Sequence, residues 1–122
     1  MDDFAIRKVL GSSYEEALSR VPAALKLEGF GVLTEIDMQR TLAQKLGVSF
    51  RRYTILGACN PPLAHEALQA DLRIGLMLPC NVVVYEDDQQ KAVVLAIDPT
   101  QTMAATGNPK LTELAHAVKD KL

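Results

Sequence analysis

The sequence predicts one α+β domain spanning residues 1–122, with a mostly antiparallel sheet and helices packed on it. Apolar runs of β-type residues alternate along the chain with stripes of helical period. The clearest strand pair, at 81–86 and 92–97, is separated by five polar residues, as in an antiparallel hairpin. No internal repeat or low-complexity linker divides the chain. These features favour α+β over a doubly wound parallel fold, in the order β-α-β-α-β-α-β-β-α-α.

A first strand is predicted near residues 4–10, and a first helix follows it. Serines at positions 12 and 13 are each followed three residues later by a glutamate, which is the spacing of a capping box. The apolar stripe stays in phase across Pro22, so we expect one helix, kinked near Val21 because proline removes a backbone donor. Gly29 is expected to end the helix in a left-handed conformation.

The middle of the chain predicts a strand, a helix and a further strand. Residues 30–36 read as the second strand, where Gly29 and Gly31 at its start indicate either a bulge or the close passage of another backbone or helix. Asp37 is placed to cap a second helix, and Gly47 is placed to end it. The third strand is expected over residues 50–59.

Three Asx-Pro pairs predict helix starts in the rest of the chain. Asn60-Pro61 opens a helix that fades near Asp71, and the hairpin strands follow it. Asp98-Pro99 opens a short helix that stops at Gly107. Asn108-Pro109 opens a last helix with an apolar stripe.

Composition and charge argue against nucleic-acid and membrane partners and favour a cytoplasmic location. The formal net charge is −2 and no basic stripe is present, which argues against nucleic-acid binding. No apolar run approaches the roughly 20 residues needed to cross a bilayer. The acidic start, Met1-Asp2-Asp3, is unlike a secretory signal, and the chain has only two cysteines. We therefore expect a cytoplasmic protein with reduced thiols.

The two cysteines are the most distinctive chemical feature of the sequence, because each stands in a Cys-Asn pair. Cys59 ends the third strand just before a helix start, where free amides and the helix dipole favour a thiolate of lowered pKa. The alternative is a small apolar residue buried where strand meets helix, which is the commoner role of free cysteine. If the third and fourth strands are antiparallel neighbours, Cys59 and Cys80 lie at the same edge of the sheet.

A candidate thiol site therefore comprises Cys59, Asn60, Cys80 and Asn81. It would serve redox exchange or the binding of a soft metal such as Cu(I), with Met77 as a further sulfur ligand. The spacing of 21 residues and the lack of Cys-x-x-Cys do not support structural zinc. Which metal binds, if any, stays open, and the identity of any cofactor is unknown from the sequence.

No catalytic constellation is recognisable. His65-Glu66 lacks the second histidine of a metalloprotease helix, and no nucleophile elbow or phosphate loop is present. Whether the protein is an enzyme is left open. Our first hypothesis is a non-enzymatic binding or interaction module acting as a homodimer, with a small molecule or an anion as a further partner class.

Several segments together resemble the family described as domain of unknown function 302. They are Gly29–Asp37, Tyr53–Pro61, Ile74–Glu86 and the Asx-Pro pairs at Asp98 and Asn108. The resemblance covers nearly the whole chain and implies a compact α+β fold with a curved antiparallel sheet. It also implies a homodimer in bacterial or archaeal cytoplasm, and it brings no activity, substrate or catalytic residue. Pro22 departs from the uninterrupted first helix of that pattern.

Overall fold

The computed structural model describes residues 5–78 and 80–98 of the 122-residue chain. Strands and helices alternate until the last two strands, which follow one another. A 3₁₀ helix, Leu72–Met77, precedes those two strands. The elements are β1 (Ala5–Leu10), α1 (Tyr14–Leu27), β2 (Gly31–Asp37), α2 (Met38–Leu46), β3 (Tyr53–Cys59), α3 (Pro61–Ala70), β4 (Cys80–Glu86) and β5 (Ala92–Ile97).

The five strands form one sheet in the order β1-β5-β4-β3-β2, and every neighbouring pair is antiparallel. The predicted α+β class and element order are confirmed. The two helices predicted after Asp98 lie outside the described residues. Two details differ from the expectation: β3 begins at Tyr53 rather than at residue 50, and the 3₁₀ helix was not predicted.

The helix starts form as the capping residues indicate. The side chains of Ser13, Asp37 and Asn60 each accept a hydrogen bond from the backbone N–H three residues later. The first helix continues through Pro22 to Leu27, as its in-phase apolar stripe predicts. Gly29 has a φ of +86° at the turn into β2, a value that glycine adopts without steric cost.

The main core lies between α1 and one face of the sheet, which we call the α1 face. Successive side chains of a strand point to opposite faces, so β3 and β4 each send alternate residues into this core. It also includes Tyr14, Ala17 and Leu25 of α1. The sheet residues of the core include Leu56, Ala58, Cys80, Val82, Val84 and Ala96. We call the opposite side of the sheet the second face.

A second, smaller cluster joins α3 to the 3₁₀ helix. Ala67 and Ile74 are buried in it, and half-buried apolar side chains including Met77 pack around them. Of the two alternatives predicted for β2, a bulge is found, because its register with β3 shifts between Val32 and Thr34. Within the described ranges, no helix combines the length and the apolar content needed to cross a bilayer.

Candidate functional site

A groove runs beside α1 on the α1 face of the described part of the chain, and we call it the α1 groove. It has a volume of about 740 Å³, inside the range of roughly 300–1,000 Å³ that is usual for small-molecule sites. One wall is α1, and strands β1, β5 and β4 form the other wall and most of the floor. Its lining residues are Ile6, Lys8, Leu10, Arg20, Val21, Ala24, Leu25, Leu27, Glu28, Val82, Val94 and Ala96.

The helix wall of the groove follows from the spacing of residues on α1. Arg20, Ala24 and Glu28 recur every four residues and therefore stand above one another on one side of the helix. The middle member is an alanine, so the wall is recessed between two long side chains. Ala24 is exposed, which means that no other described side chain fills the recess.

The strand wall contains a lysine between two apolar side chains. Ile6 and Leu10 pack against the main core, and Lys8 shares their face because strand side chains alternate with a period of two. Lys8 is directly opposite Val94 of β5 in the sheet. The alternation of Ile6 and Leu10 could have placed Lys8 on this face from the sequence, but the lysine alone gives no sign of a groove.

The groove has a buried apolar floor and an exposed rim. Val82, Leu25 and Ala96 are at most 9% exposed, so they form a floor that is removed from water. Leu27 stands at the rim with 87% of its surface exposed, which is unusual for a leucine beside an apolar depression. An apolar molecule in the groove would cover this side chain and remove it from water.

Two cations of the rim are without protein partners. Among the described residues, neither Lys8 nor Arg20 makes a hydrogen bond or an ion pair, whereas Arg51, Arg52 and Arg73 each pair with a carboxylate. The acidic residue of the groove, Glu28, is eight positions after Arg20. That spacing corresponds to about 12 Å along a helix.

The four residues of the predicted thiol site share one end of the sheet but not one face. Strands β3 and β4 are antiparallel neighbours, as the prediction required, and Cys80 is opposite Ala58 rather than Cys59. The side chain of Cys59 therefore projects from the second face, with that of Asn81, and Cys80 projects into the main core. Asn60 follows β3 and caps α3 through its side-chain oxygen.

The surroundings of the two thiols do not favour thiolates. Both cysteines are free, with Cys80 buried and Cys59 half-buried. Burial raises the pKa of the Cys59 thiol, although the helix start beside it led us to expect a lowered pKa. Burial, together with the nearby Cys59 charge, raises the pKa of Cys80 to about 11. Loss of hydration thus outweighs the effect of the helix start beside Cys59.

No metal-binding cluster joins these thiols within the described part of the chain. There, no group of three or more histidine, cysteine, aspartate or glutamate side chains converges. His65 lies on the exposed side of α3, and Met77 packs in the small α3 cluster.

Comparison with known proteins places the chain in a family. The family model described as domain of unknown function DUF302 matches residues 6–122. The chain belongs to the DUF302 family. A similar solved structure is that of an uncharacterised conserved DUF302 protein from Bacillus stearothermophilus, with 30% sequence identity and a TM-score of 0.90. The alignment covers 97% of this chain and 91% of that one. No curated protein matches this DUF302 chain. The predicted family is thereby confirmed.

Proposed function

We propose that this DUF302 protein is a binding module whose site is the α1 groove and whose ligand is a small molecule with a large apolar part. The observation that carries the proposal is the groove itself, with its buried apolar floor and recessed helix wall. Ligand sites are typically concave and mostly apolar, with a few polar groups that fix orientation. Lys8, Arg20 and Glu28 are such groups in the α1 groove.

The second part of the proposal is that the module acts as a homodimer in the cytoplasm, where its two free thiols would stay reduced. Support comes from exposed apolar side chains concentrated in the segment from β2 to the start of β3, which we call the β2–α2 surface. Its members are 41–69% exposed, and soluble monomers rarely expose large apolar patches. They are Leu33, Ile36, Leu46, Val48 and Phe50.

A thiol site at Cys59 and Cys80 stays a prediction and is the weaker candidate. The raised pKa values of both thiols disfavour the thiolate that redox exchange and metal capture require. Their projection from opposite faces also disfavours a disulfide, which needs the two β-carbons about 4 Å apart and facing each other.

Binding of a neutral apolar dye, N-phenyl-1-naphthylamine, tests the groove. The dye fluoresces strongly once it leaves water, so wild-type protein should enhance its emission in a saturable way. Ala24→Leu fills the recess and should reduce the dye affinity at least fivefold. Ala23→Leu is the matched control, since Ala23 is also exposed on α1 but does not line the groove, and it should bind dye like the wild type.

Equal dye binding by wild type and Ala24→Leu would show that the dye binds elsewhere. No saturable binding by the wild type would contradict the proposed function outright. Circular dichroism checks that both variants fold, which we expect because leucine is a good helix former at an exposed position.

A further inference from the structure

The charges of the α1 groove identify a narrower class of ligand. We propose that the groove binds an amphipathic anion, namely a medium- or long-chain carboxylate, with its chain on the apolar floor and its headgroup between Lys8 and Arg20. This inference rests on the proposed function, because it assigns the chemistry of the ligand to the same groove.

The headgroup position follows from the two unpaired cations. Lys8 belongs to the strand wall and Arg20 to the helix wall, so a headgroup between the walls has a cation on either side. Neither cation has a hydrogen-bond or ion-pair partner in the described part of the chain, so neither has to leave one to meet a ligand. Charge-assisted hydrogen bonds from ammonium and guanidinium groups are the usual means of holding a carboxylate.

The position of the ligand's alkyl chain follows from where the apolar side chains of the groove lie. The floor residues Val82, Leu25 and Ala96 belong to two strands and the helix, and exposed Leu27 extends the apolar surface to the rim. Leu27 is the last residue of α1 and Glu28 is its C-cap, about two turns from Arg20. Glu28 makes that end unfavourable for a second anionic group, so a ligand with one charged end fits better than one charged at both ends.

The first measurable consequence is that affinity should depend on the length of the ligand's alkyl chain. A series of decanoate, dodecanoate and tetradecanoate, each displacing N-phenyl-1-naphthylamine, should bind progressively more tightly. Two additional methylenes buried on the floor should tighten binding roughly tenfold until the groove is full. Binding of the carboxylates should weaken as salt is added, since charges at an exposed rim are screened.

Headgroup variants give the second consequence. Lys8→Gln and Arg20→Gln should each weaken dodecanoate binding about threefold to fivefold, and together roughly tenfold, with no change for the uncharged dodecanol. Arg7→Gln is the matched control, because Arg7 is an exposed cation of the same strand that projects from the second face. It should leave dodecanoate binding unchanged.

The outcomes separate the two proposals. Equal affinity for dodecanoate and dodecanol, or insensitivity to both glutamine variants, would overturn the carboxylate assignment and leave the apolar groove standing. If neither the dye nor any of the carboxylates binds, both the carboxylate assignment and the proposed function are overturned. If Ala24→Leu instead dissociates an oligomer measured by sedimentation, a second copy occupies the groove. If it lowers the melting temperature while no ligand binds, the chain's own residues 99–122 occupy it. Either result overturns the assignment.

Discussion

Tyr14 and Thr54, forty residues apart in the sequence, share a buried hydrogen bond between their hydroxyl groups. The bond joins the first turn of α1 to the start of β3, and both residues are at most 8% exposed. Arg52 adds a second contact, since its guanidinium carbon lies 5.8 Å from the centre of the Tyr14 ring and it also pairs with Glu15. These contacts fix the start of the helix that forms one wall of the α1 groove.

Removal of one hydroxyl from this pair should cost more than removal of both. Thr54→Val leaves the buried Tyr14 hydroxyl unpaired and should lower the free energy of unfolding by about 1–3 kcal/mol. The double variant Tyr14→Phe with Thr54→Val leaves no unpaired polar group and should recover much of that loss. Urea denaturation of the two single variants and the double variant measures the coupling. Additive losses would show that the bond contributes nothing specific.

Much of the fold could be predicted because local signals agree with it. The three helix caps at Ser13, Asp37 and Asn60 and the two β-rich runs of the hairpin act through nearby backbone, so their sequence spacing is sufficient. The 3₁₀ helix was missed because its packing on α3, through Ile74, is a tertiary contact without a clear periodic pattern.

Gly29 should be among the least replaceable exposed positions. A Cβ there would lie 3.1 Å from the amide nitrogen of Asn60, whose oxygen is held by the Leu63 N–H, and its φ of +86° is strained for other residues. Gly29→Ala should therefore lower the unfolding free energy by about 1–2 kcal/mol. Gly47→Ala is the control, since Gly47 has a φ of +67° with no neighbour within 4 Å. Thermal unfolding should show a smaller loss for Gly47→Ala, and an equal loss would mean that the Asn60 contact is unimportant.

The raised pKa of Cys80 predicts a loss of stability in alkali. The thiol pKa is about 11 in the folded protein, against an ordinary value of 9.0, so the folded state keeps a proton that the unfolded state has lost. Stability is therefore full below about pH 9 and falls as the pH rises towards 11, by roughly 1–3 kcal/mol.

Urea denaturation of wild type and Cys80→Ala between pH 7 and pH 11 measures how much Cys80 contributes to the loss of stability in alkali. The alanine variant should show a shallower decline, and part of what remains is expected from Cys59 and Tyr14, whose pKa values burial also raises. Iodoacetamide should label both native cysteines slowly at pH 7. Rapid labelling of Cys59 at that pH would contradict the raised pKa and revive the thiol site.

The candidate site could be predicted less well than the fold. The sequence placed Cys59 and Cys80 at one end of the sheet, and only the register showed that Cys80 is opposite Ala58. A shift of one residue decides the face of a strand side chain, and sequence patterns do not fix that shift between strands. The α1 groove depends on how α1 lies across β1 and β5, which is a tertiary relationship that no single segment encodes.

The β2–α2 surface should carry the dimer contact if the homodimer proposal is correct. Leu46→Glu introduces a charge into this surface and should weaken self-association at least tenfold, because burying an unpaired charge is costly. Leu76→Glu is the control, because Leu76 is 90% exposed on the 3₁₀ helix and lies outside that surface. Sedimentation equilibrium measures the self-association of wild type and both variants. A wild-type monomer at micromolar concentrations would contradict the homodimer proposal. Equal effects of the two variants would show that the dimer contact is not on the β2–α2 surface.

Methyl NMR of the protein titrated with dodecanoate tests the central claim, that the α1 groove is the binding site, most directly. The account predicts saturable shifts of the Ile6, Leu10, Val82 and Val94 methyl groups, since these side chains line the groove. The methyl groups of Ile55 and Val83, which project from the second face, should keep their positions. Shifts confined to the second face or to the β2–α2 surface, or no shifts at saturating ligand, would contradict it.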